Sequence, residues 1–302
     1  MARLGTHRLV LLIAGIGSVS ACTLLTPLDV LSEGSGATDS DAASADAGTD
    51  ERSGSNDGGP NTVGDGAVVD AAKSPYVTAV LADNPLLYYR FGEQSGAPAR
   101  DEITGAAQAY PVQGATLGAA GALAGDTNTA ITVDGTGKID LVQDADFEGR
   151  QPYSVEVWVS RATSGGSGLG FLVDHQAWSG GRRGWALRAN PAGFAFERAI
   201  TVDGGTSYNS TGTDEPAVAG EWHHVVGTFD GTTLRLYVDS VRRDTFGGGI
   251  MLSKVGSTAV GKQNCTPCSN TGYYGTLDEL AIYPQALNEA RVAAHYKAGK
   301  GL

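Results

Sequence analysis

Residues 222–239, Trp-His-His-Val-Val-Gly-Thr-Phe-Asp-Gly-Thr-Thr-Leu-Arg-Leu-Tyr-Val-Asp, constrain the fold of this chain more than any other segment. Val225, Gly227 and Phe229 fall on one face of an extended strand, and His224, Val226 and Thr228 on the other. Beyond Asp230-Gly231, Leu234, Leu236 and Val238 alternate with Arg235, Tyr237 and Asp239. Strand side chains change face at every residue, so two period-two runs across an Asp-Gly turn specify a β-hairpin. A second extended run, Gly275-Thr-Leu-Asp-Glu-Leu-Ala-Ile-Tyr283, follows near the end and stops at Pro284.

The chain of 302 residues divides into three parts. Residues 1–21 carry Arg3 and Arg8 ahead of the apolar run Leu9-Val-Leu-Leu-Ile-Ala-Gly-Ile16. That run is too short to span a bilayer and reads as a signal peptide. It ends Val19-Ser-Ala-Cys22, which resembles the lipobox of bacterial lipoproteins. The resemblance implies a diacylglycerol on the Cys22 thiol and an exported protein anchored to a membrane, at the outer membrane or cell surface. The alternative is an ordinary signal peptide with a chance cysteine. Residues 22–73 are dominated by Ser, Gly, Ala, Asp and Thr, and ten acidic residues face Arg52 and Lys73. So little apolar surface cannot offset the chain entropy lost on folding, and the segment reads as a disordered tether. A flexible chain of about 50 residues has an r.m.s. span of roughly 40 Å.

Residues 74–302 are enough for one large β-sandwich. The formal charge of −12, from 33 acidic and 21 basic residues, disfavours nucleic acid and anionic lipid heads as partners. No second long apolar segment follows, which leaves the lipid as the membrane attachment. Ser74-Pro75 reads as an N-cap and first helical residue, with Val77, Val80 and Leu81 on one face and Asn84-Pro85 as the stop. Strands are expected near 86–91, 106–112, 130–134, 137–142, 152–160, 170–174, 184–190, 193–199, 222–229, 232–238, 241–246, 257–261 and 275–283. Many short strands between Gly-, Asp- and Asn-bearing turns indicate an all-β sandwich. A closing helix is expected after Asn288, stapled by Leu287 and Val292 and docked by Val292 and Tyr296.

The 222–239 hairpin, the Gly275–Tyr283 run with Pro284-Gln-Ala-Leu287, and the opening segment Tyr76–Gly96 resemble laminin G-like, concanavalin A-like domains of secreted bacterial proteins. The resemblance implies an all-β fold, an antiparallel jelly-roll β-sandwich of two packed sheets with short flanking helices. It also implies a non-catalytic binding or adhesion module recognising a glycan or an extracellular protein. A carbohydrate-active hydrolase or lyase and a purely structural envelope lipoprotein are the competing readings. Laminarinase-type hydrolases of this superfamily carry a Glu-x-Asp-x-x-Glu run, whereas here Glu156 is followed by Val157, Trp158 and Val159. Asp278 matches the family's structural-calcium Asp; its other role is to accept bonds from loop amides.

Asp278 and Glu279, as strand neighbours, are expected on opposite faces, unlike a glycosidase pair working on one bond. Asp174, His175, Arg188 and Glu197 lie on or just past three consecutive strands and form either a polar ligand groove or a solvated outer surface. Trp178, between glycine-rich turns, either stacks on a ligand or packs. Trp185 alternates with Leu187 and has the same two roles, with Arg182 or Arg183 near an acidic group. Trp158 and Trp222 read as core. His223 and His224 diverge as adjacent strand residues, and no His-x-x-x-His spacing suggests zinc. No Gly-x-Ser-x-Gly elbow occurs. Cys265-Thr-Pro-Cys268, in an exported chain whose third Cys is Cys22, reads as a local disulfide.

Overall fold

The computed structural model describes residues 74–302 apart from 110–113, 142–144, 146, 148–149, 166–169, 178–182, 191, 203–204, 214–215, 248–256 and 266–270. The signal peptide, Cys22, the tether, Trp178, Arg182 and Cys268 lie outside the described residues.

A helix, α1 (Pro75–Ala82), comes first. The strands that follow are β1 (Leu87–Tyr89), β2 (Ala99–Arg100), β3 (Ala107–Ala109), β4 (Ala115–Ala120), β5 (Thr129–Asp134), β6 (Ile139–Leu141), β7 (Tyr153–Arg161) and β8 (Gly170–Ala177). Next are β9 (Arg183–Asn190), β10 (Gly193–Val202), β11 (Gly205–Gly212), β12 (Trp222–Phe229), β13 (Thr233–Val238), β14 (Val241–Gly247), β15 (Thr258–Val260) and β16 (Tyr274–Tyr283). Helix α2 (Glu289–Lys300) closes the chain. Eight strands form one sheet in the order β14-β13-β12-β7-β16-β5-β4, with β1 also paired to β16. Six form the other, β11-β10-β9-β8-β15-β6, and β2 pairs with β3. The ladders of both sheets are antiparallel, as a jelly-roll sandwich requires.

The 222–239 hairpin forms in the expected register, Val225 opposite Val238 and Phe229 opposite Leu234. Its turn is closed by Asp230 Oδ1, which accepts from the Thr232 and Thr233 amides, each at 2.9 Å. Val225, Phe229, Leu234 and Leu236 enter the main core, where they meet Trp185, Leu187, Phe194 and Phe196 from the six-stranded sheet. Gly227 lies where the two sheets approach closely. A Cβ there would come 2.4 Å from Phe196 Cγ, so the aromatic ring takes the space a side chain would need.

The eight-stranded sheet buries its other face too. Trp158, Val226, Tyr237, Ala281 and Tyr283 pack there under Tyr76, Val77 and Val80 of α1 and Leu287 and Val292 at α2. This double cover explains why β7 is buried from Tyr153 to Val159 with no exposed alternate positions. Both helices start as their caps dictate: Ser74 Oγ accepts from the Val77 amide and Asn288 Oδ1 from the Arg291 amide. Helix α2 ends on Gly301 in the left-handed region (φ 70°). Tyr296 stacks on Trp158 with centroids 6.0 Å apart, as expected of its docking role.

Two strands of the large sheets escape the sequence pattern, β4 (Ala-Thr-Leu-Gly-Ala-Ala) and β11 (Gly-Thr-Ser-Tyr-Asn-Ser-Thr-Gly). Each is an edge strand of its sheet. Small and polar residues suit an edge and leave no apolar alternation to read.

Candidate functional site

The polar residues of the six-stranded sheet sort onto two faces. Asp174 and Glu197 are each paired with Ala186 from opposite sides, while Gln176 and Arg188 lie two residues along their own strands. These four therefore share the sheet's outer face. His175 does not join them: its ring stacks on Trp185 (5.5 Å, 24°) and its Nδ1 bonds Thr258 Oγ1 at 2.8 Å. Trp185 is fully buried, donating from Nε1 to the Ala145 carbonyl at 3.1 Å, and belongs to the core. Arg188 Nε lies 3.0 Å from Glu197 Oε2, and Gln176 Nε2 donates to Glu197 Oε1 at 3.4 Å. Asp174 Oδ2 accepts from the Asn264 amide at 2.6 Å, which ties down the loop bearing Cys265. Asp174, Gln176 and Glu197 are buried, and Arg188 is the member of the set that reaches solvent. The row is thus neither a fully solvated surface nor a bare groove. Arg183 is exposed at the start of β9.

Asp278 and Glu279 break the alternation expected of them. On one edge, β16 pairs with β5 as far as Leu277 and with β1 from Leu280. On the other edge its register against β7 shifts between Asp278 and Ala281, and Glu279 takes φ 52°. This bulge leaves both carboxylates buried around Asn128. Glu279 accepts from Tyr88 Oη, from Arg90 Nε (3.0 Å) and Nη2 (2.9 Å), and from Asn128 Nδ2 (3.4 Å). Burial pushes its pKa up to about 7 against the pull of Arg90. Asp278 accepts from the Ala122 amide (2.8 Å) and the Glu279 amide (2.9 Å). Burial, and then the neighbouring Glu279, hold its carboxyl well above the usual range. A Cβ on Gly121 would lie 2.4 Å from the Asn128 carbonyl oxygen and 3.0 Å from Asp278 Oδ2. Asp278 Oδ2 and the Asn128 carbonyl oxygen thus flank a spot without a side chain, which supplies two of the roughly six to eight oxygens that calcium takes. The amide-acceptor role of Asp278 is also present.

Sequence reasoning missed the charged cluster beneath the helices. Glu156 Oε2 lies 3.2 Å from His224 Nε2 and 3.0 Å from His295 Nδ1. Tyr76 and Tyr283 hydroxyls donate to Oε1. His295 Nε2 faces Asp83 Oδ2 at 3.0 Å, and Arg291 also pairs with Asp83. Burial alone would raise the Glu156 pKa, but His295 and His224 hold it well below the carboxylate range. Burial likewise opposes protonation of His295, and Glu156 with Asp83 outweighs it, so that pKa is raised. No spacing in the sequence signals this set, since Glu156 and His295 are 139 residues apart. Its place under two helices makes it a docking device.

His223 diverges from His224, as expected, and faces Asp239, with Nδ1 2.7 Å from Oδ2. The other Asp239 oxygen accepts from the His224 amide at 2.9 Å. The two ring partners thus stand beside a surface pocket of about 330 Å3, its open mouth included. It is lined by Phe194, Thr213, Pro216, Ala217, Val218, His223, Val238, Asp239 and Arg243.

The two antiparallel sheets agree with the comparisons. The family model of the concanavalin A-like lectin/glucanases superfamily, laminin G type, matches residues 133–293, just over half of the chain. The chain belongs to this superfamily. Among solved structures, it is similar to the binding domain of Paraclostridial Mosquitocidal Protein 1, at 16% identity and a TM-score of 0.53. That match covers 72% of this chain and 53% of the other. The botulinum neurotoxin serotype C1 binding domain matches at 13% identity and a TM-score of 0.50, over 72% of this chain and 52% of its own. The chain thus spans about half the length of these structures, and identities this low speak for the shared fold alone. No curated protein matches the chain.

Proposed function

We propose that this superfamily member is a non-catalytic binding or adhesion module that recognises a glycan or an extracellular protein from a lipid-anchored position on the cell surface. The observation that carries the reading is how the carboxylates are used. Glu197 is held by Arg188 and Gln176, Asp174 by the Asn264 amide, Glu156 by two histidines, and Glu279 by Arg90. General acid–base cleavage of a glycosidic bond needs two carboxyl groups facing one substrate about 5 to 9.5 Å apart. These four carboxylates are committed to internal partners instead. Two structural relatives named as toxin binding domains lend further support, since binding is what their names record.

The binding face in this proposal is the outer side of the six-stranded sheet, with Arg188 and Glu197, and Trp178 of the sequence is assigned to the same ligand. The central strands of the eight-stranded sheet have both faces covered. The test is a screen of the purified protein on immobilised glycans and exported proteins, with reducing-end release measured on every polysaccharide retained. Retention without release is expected. Trp178→Ala should then cost on the order of 2 kcal/mol, about thirtyfold in affinity, at an unchanged melting temperature. Steady polysaccharide cleavage would replace this reading by a carbohydrate-active enzyme.

A further inference from the structure

We propose that the pocket beside His223 binds a phenolic ring, whose hydroxyl donates to His223 Nε2 while its faces rest on Phe194, Val238 and Val218. This site is distinct from the sheet face of the previous section and does not depend on it.

The pocket joins the two sheets at one end of the sandwich, with Phe194 from β10, His223 from β12, Val238 from β13 and a lip from Pro216 to Val218. Asp239 orients the imidazole: its ionised carboxylate accepts from Nδ1, and in the neutral ring this leaves the Nε2 lone pair as an acceptor. Burial works against ionisation of Asp239, yet its bonds to His223 and the His224 amide lower its pKa, which keeps the accepting form. Nε2 itself is buried and has no hydrogen-bond partner. A desolvated acceptor left unpaired costs free energy that a suitably placed donor returns.

The turn that supplies Asp239 is itself costly. Asp239 and Ser240 form the two-residue loop between β13 and β14 with φ of 52° and 67°. Loops of this kind favour Asn-Gly or Gly-Gly, because two positive φ angles strain ordinary residues. Here the two Asp239 hydrogen bonds hold the strained conformation, and the product is an oriented imidazole at a concavity.

The remaining lining decides the ligand class. Phe194, Pro216, Ala217, Val218 and Val238 are apolar, both Asp239 oxygens are occupied, and Thr213 and Arg243 have partners of their own. One buried, unpaired acceptor beside the apolar side chains of Phe194, Val218 and Val238 suits a flat apolar body with one hydroxyl donor. A sugar, with hydroxyls all round, would leave those that face Phe194, Val218 and Val238 unpaired. The Phe194 and His223 rings, 6.0 Å apart and inclined at 60°, offer an aromatic a stacked and an edge contact at once. Entry of the ring displaces the lip at Val218, which is 50% exposed. The phenol comes either as a small molecule or as a tyrosine side chain of a peptide.

Fluorine NMR titration of the folded protein with 4-fluorophenol tests the assignment, with fluorobenzene as the probe lacking the hydroxyl and a methyl glucoside as the sugar. Saturable binding of 4-fluorophenol, about tenfold tighter than fluorobenzene, is expected from one recovered hydrogen bond. His223→Phe, which keeps a ring but removes the acceptor, should erase that tenfold preference. Val218→Trp at the exposed lip should close the mouth and abolish binding without touching the core, which keeps the test open if the His223 variant does not fold. N-acetyl-tyrosinamide binding as tightly as 4-fluorophenol marks a tyrosine as the occupant; weaker binding marks a small phenol. Equal affinity for fluorobenzene, an unchanged preference in folded His223→Phe, tighter binding of the glucoside, or no saturable binding of 4-fluorophenol would each overturn the proposal. None of these results bears on ligand retention at the sheet face, which His223→Phe leaves intact.

Discussion

Glu156→Gln removes one negative charge from the cluster that holds α1 and α2 on the sheet, and its effect follows from the surrounding geometry. Glu156, His224 and His295 are all fully buried, with charge-assisted contacts of 3.2 and 3.0 Å to the two imidazoles. Removing one partner from a buried ionic pair costs about 3–5 kcal/mol, because the remaining charge stays desolvated. For a domain of this size each kcal/mol moves Tm by about 2–4 °C, so the variant should melt about 6–20 °C lower. The pH dependence adds a second signature. The folded pKa of His295 is raised, so its contribution is complete below the unfolded value of about 6.5 and is lost as pH rises through the folded value. The folded pKa of Glu156 is depressed, so its contribution is complete above about 4.3 and is lost as pH falls toward the folded value. The pair therefore stabilises the fold most between about pH 4.3 and 6.5, and the deficit of the variant should be largest there and shrink toward about pH 9. Thermal melts by circular dichroism across this range measure both signatures. A variant melting within about 2 °C of the wild type near pH 6, or one with the same deficit at every pH, would refute the argument.

Other consequences can be checked separately. Cys22→Ser should release the protein from the membrane fraction, whereas persistence there in high salt would remove the proposed lipid anchor. Cys265 and Cys268 should both resist alkylation in the exported protein unless it is reduced first, and labelling of both thiols without reductant would remove the proposed bridge. Calcium at Asp278 and the Asn128 carbonyl should raise Tm by a few degrees, about 1 kcal/mol of linkage, and EDTA should reverse the gain. The Asp278→Asn protein should show no such shift, and a wild type indifferent to calcium would leave Asp278 as an acceptor of amide bonds.

Most of the fold was legible because it rests on local rules. The hairpin at 222–239, both helix caps and the staple residues Leu287 and Val292 need only period-two alternation and capping chemistry. Strands β4 and β11 were not legible, because edge strands built from Ala, Gly, Ser and Thr carry no apolar rhythm. The expected divergence of His223 and His224 held, since β12 is regular at that point. The same rule failed for Asp278 and Glu279, where β16 changes partner from β5 to β1 and a bulge absorbs the mismatch. Alternation is a property of an unbroken ladder, and a partner switch is a tertiary event invisible in ten residues of sequence. His175 left the group expected around Asp174 for the opposite reason: β8 is regular there, and adjacent strand residues take opposite faces. Four polar residues within a few strands do not state which face each takes until the register is known.

The placement of buried charge narrows where a ligand can sit. On the eight-stranded sheet the outer face is spent on Trp158, Tyr283 and the Glu156 cluster, all sealed by α1 and α2. Opening that face would expose an apolar cluster and break an ionic network together, so a binding event there would have to oppose two large terms. The six-stranded sheet has no helix on its outer face among the described residues, and its Arg188 is part-exposed while paired to buried Glu197. An arginine paired in this way through Nε is partly positioned before a partner arrives, so less entropy remains to be lost on contact. Arg188→Lys should keep the charge but lose the planar fork. A ligand held at this face should therefore dissociate faster from the lysine variant with little change in its association rate, since rate constants for association follow charge and those for dissociation follow contact geometry. Surface plasmon resonance separates the two. Unchanged dissociation would move the binding face away from Arg188 and toward the end of the sandwich that carries His223.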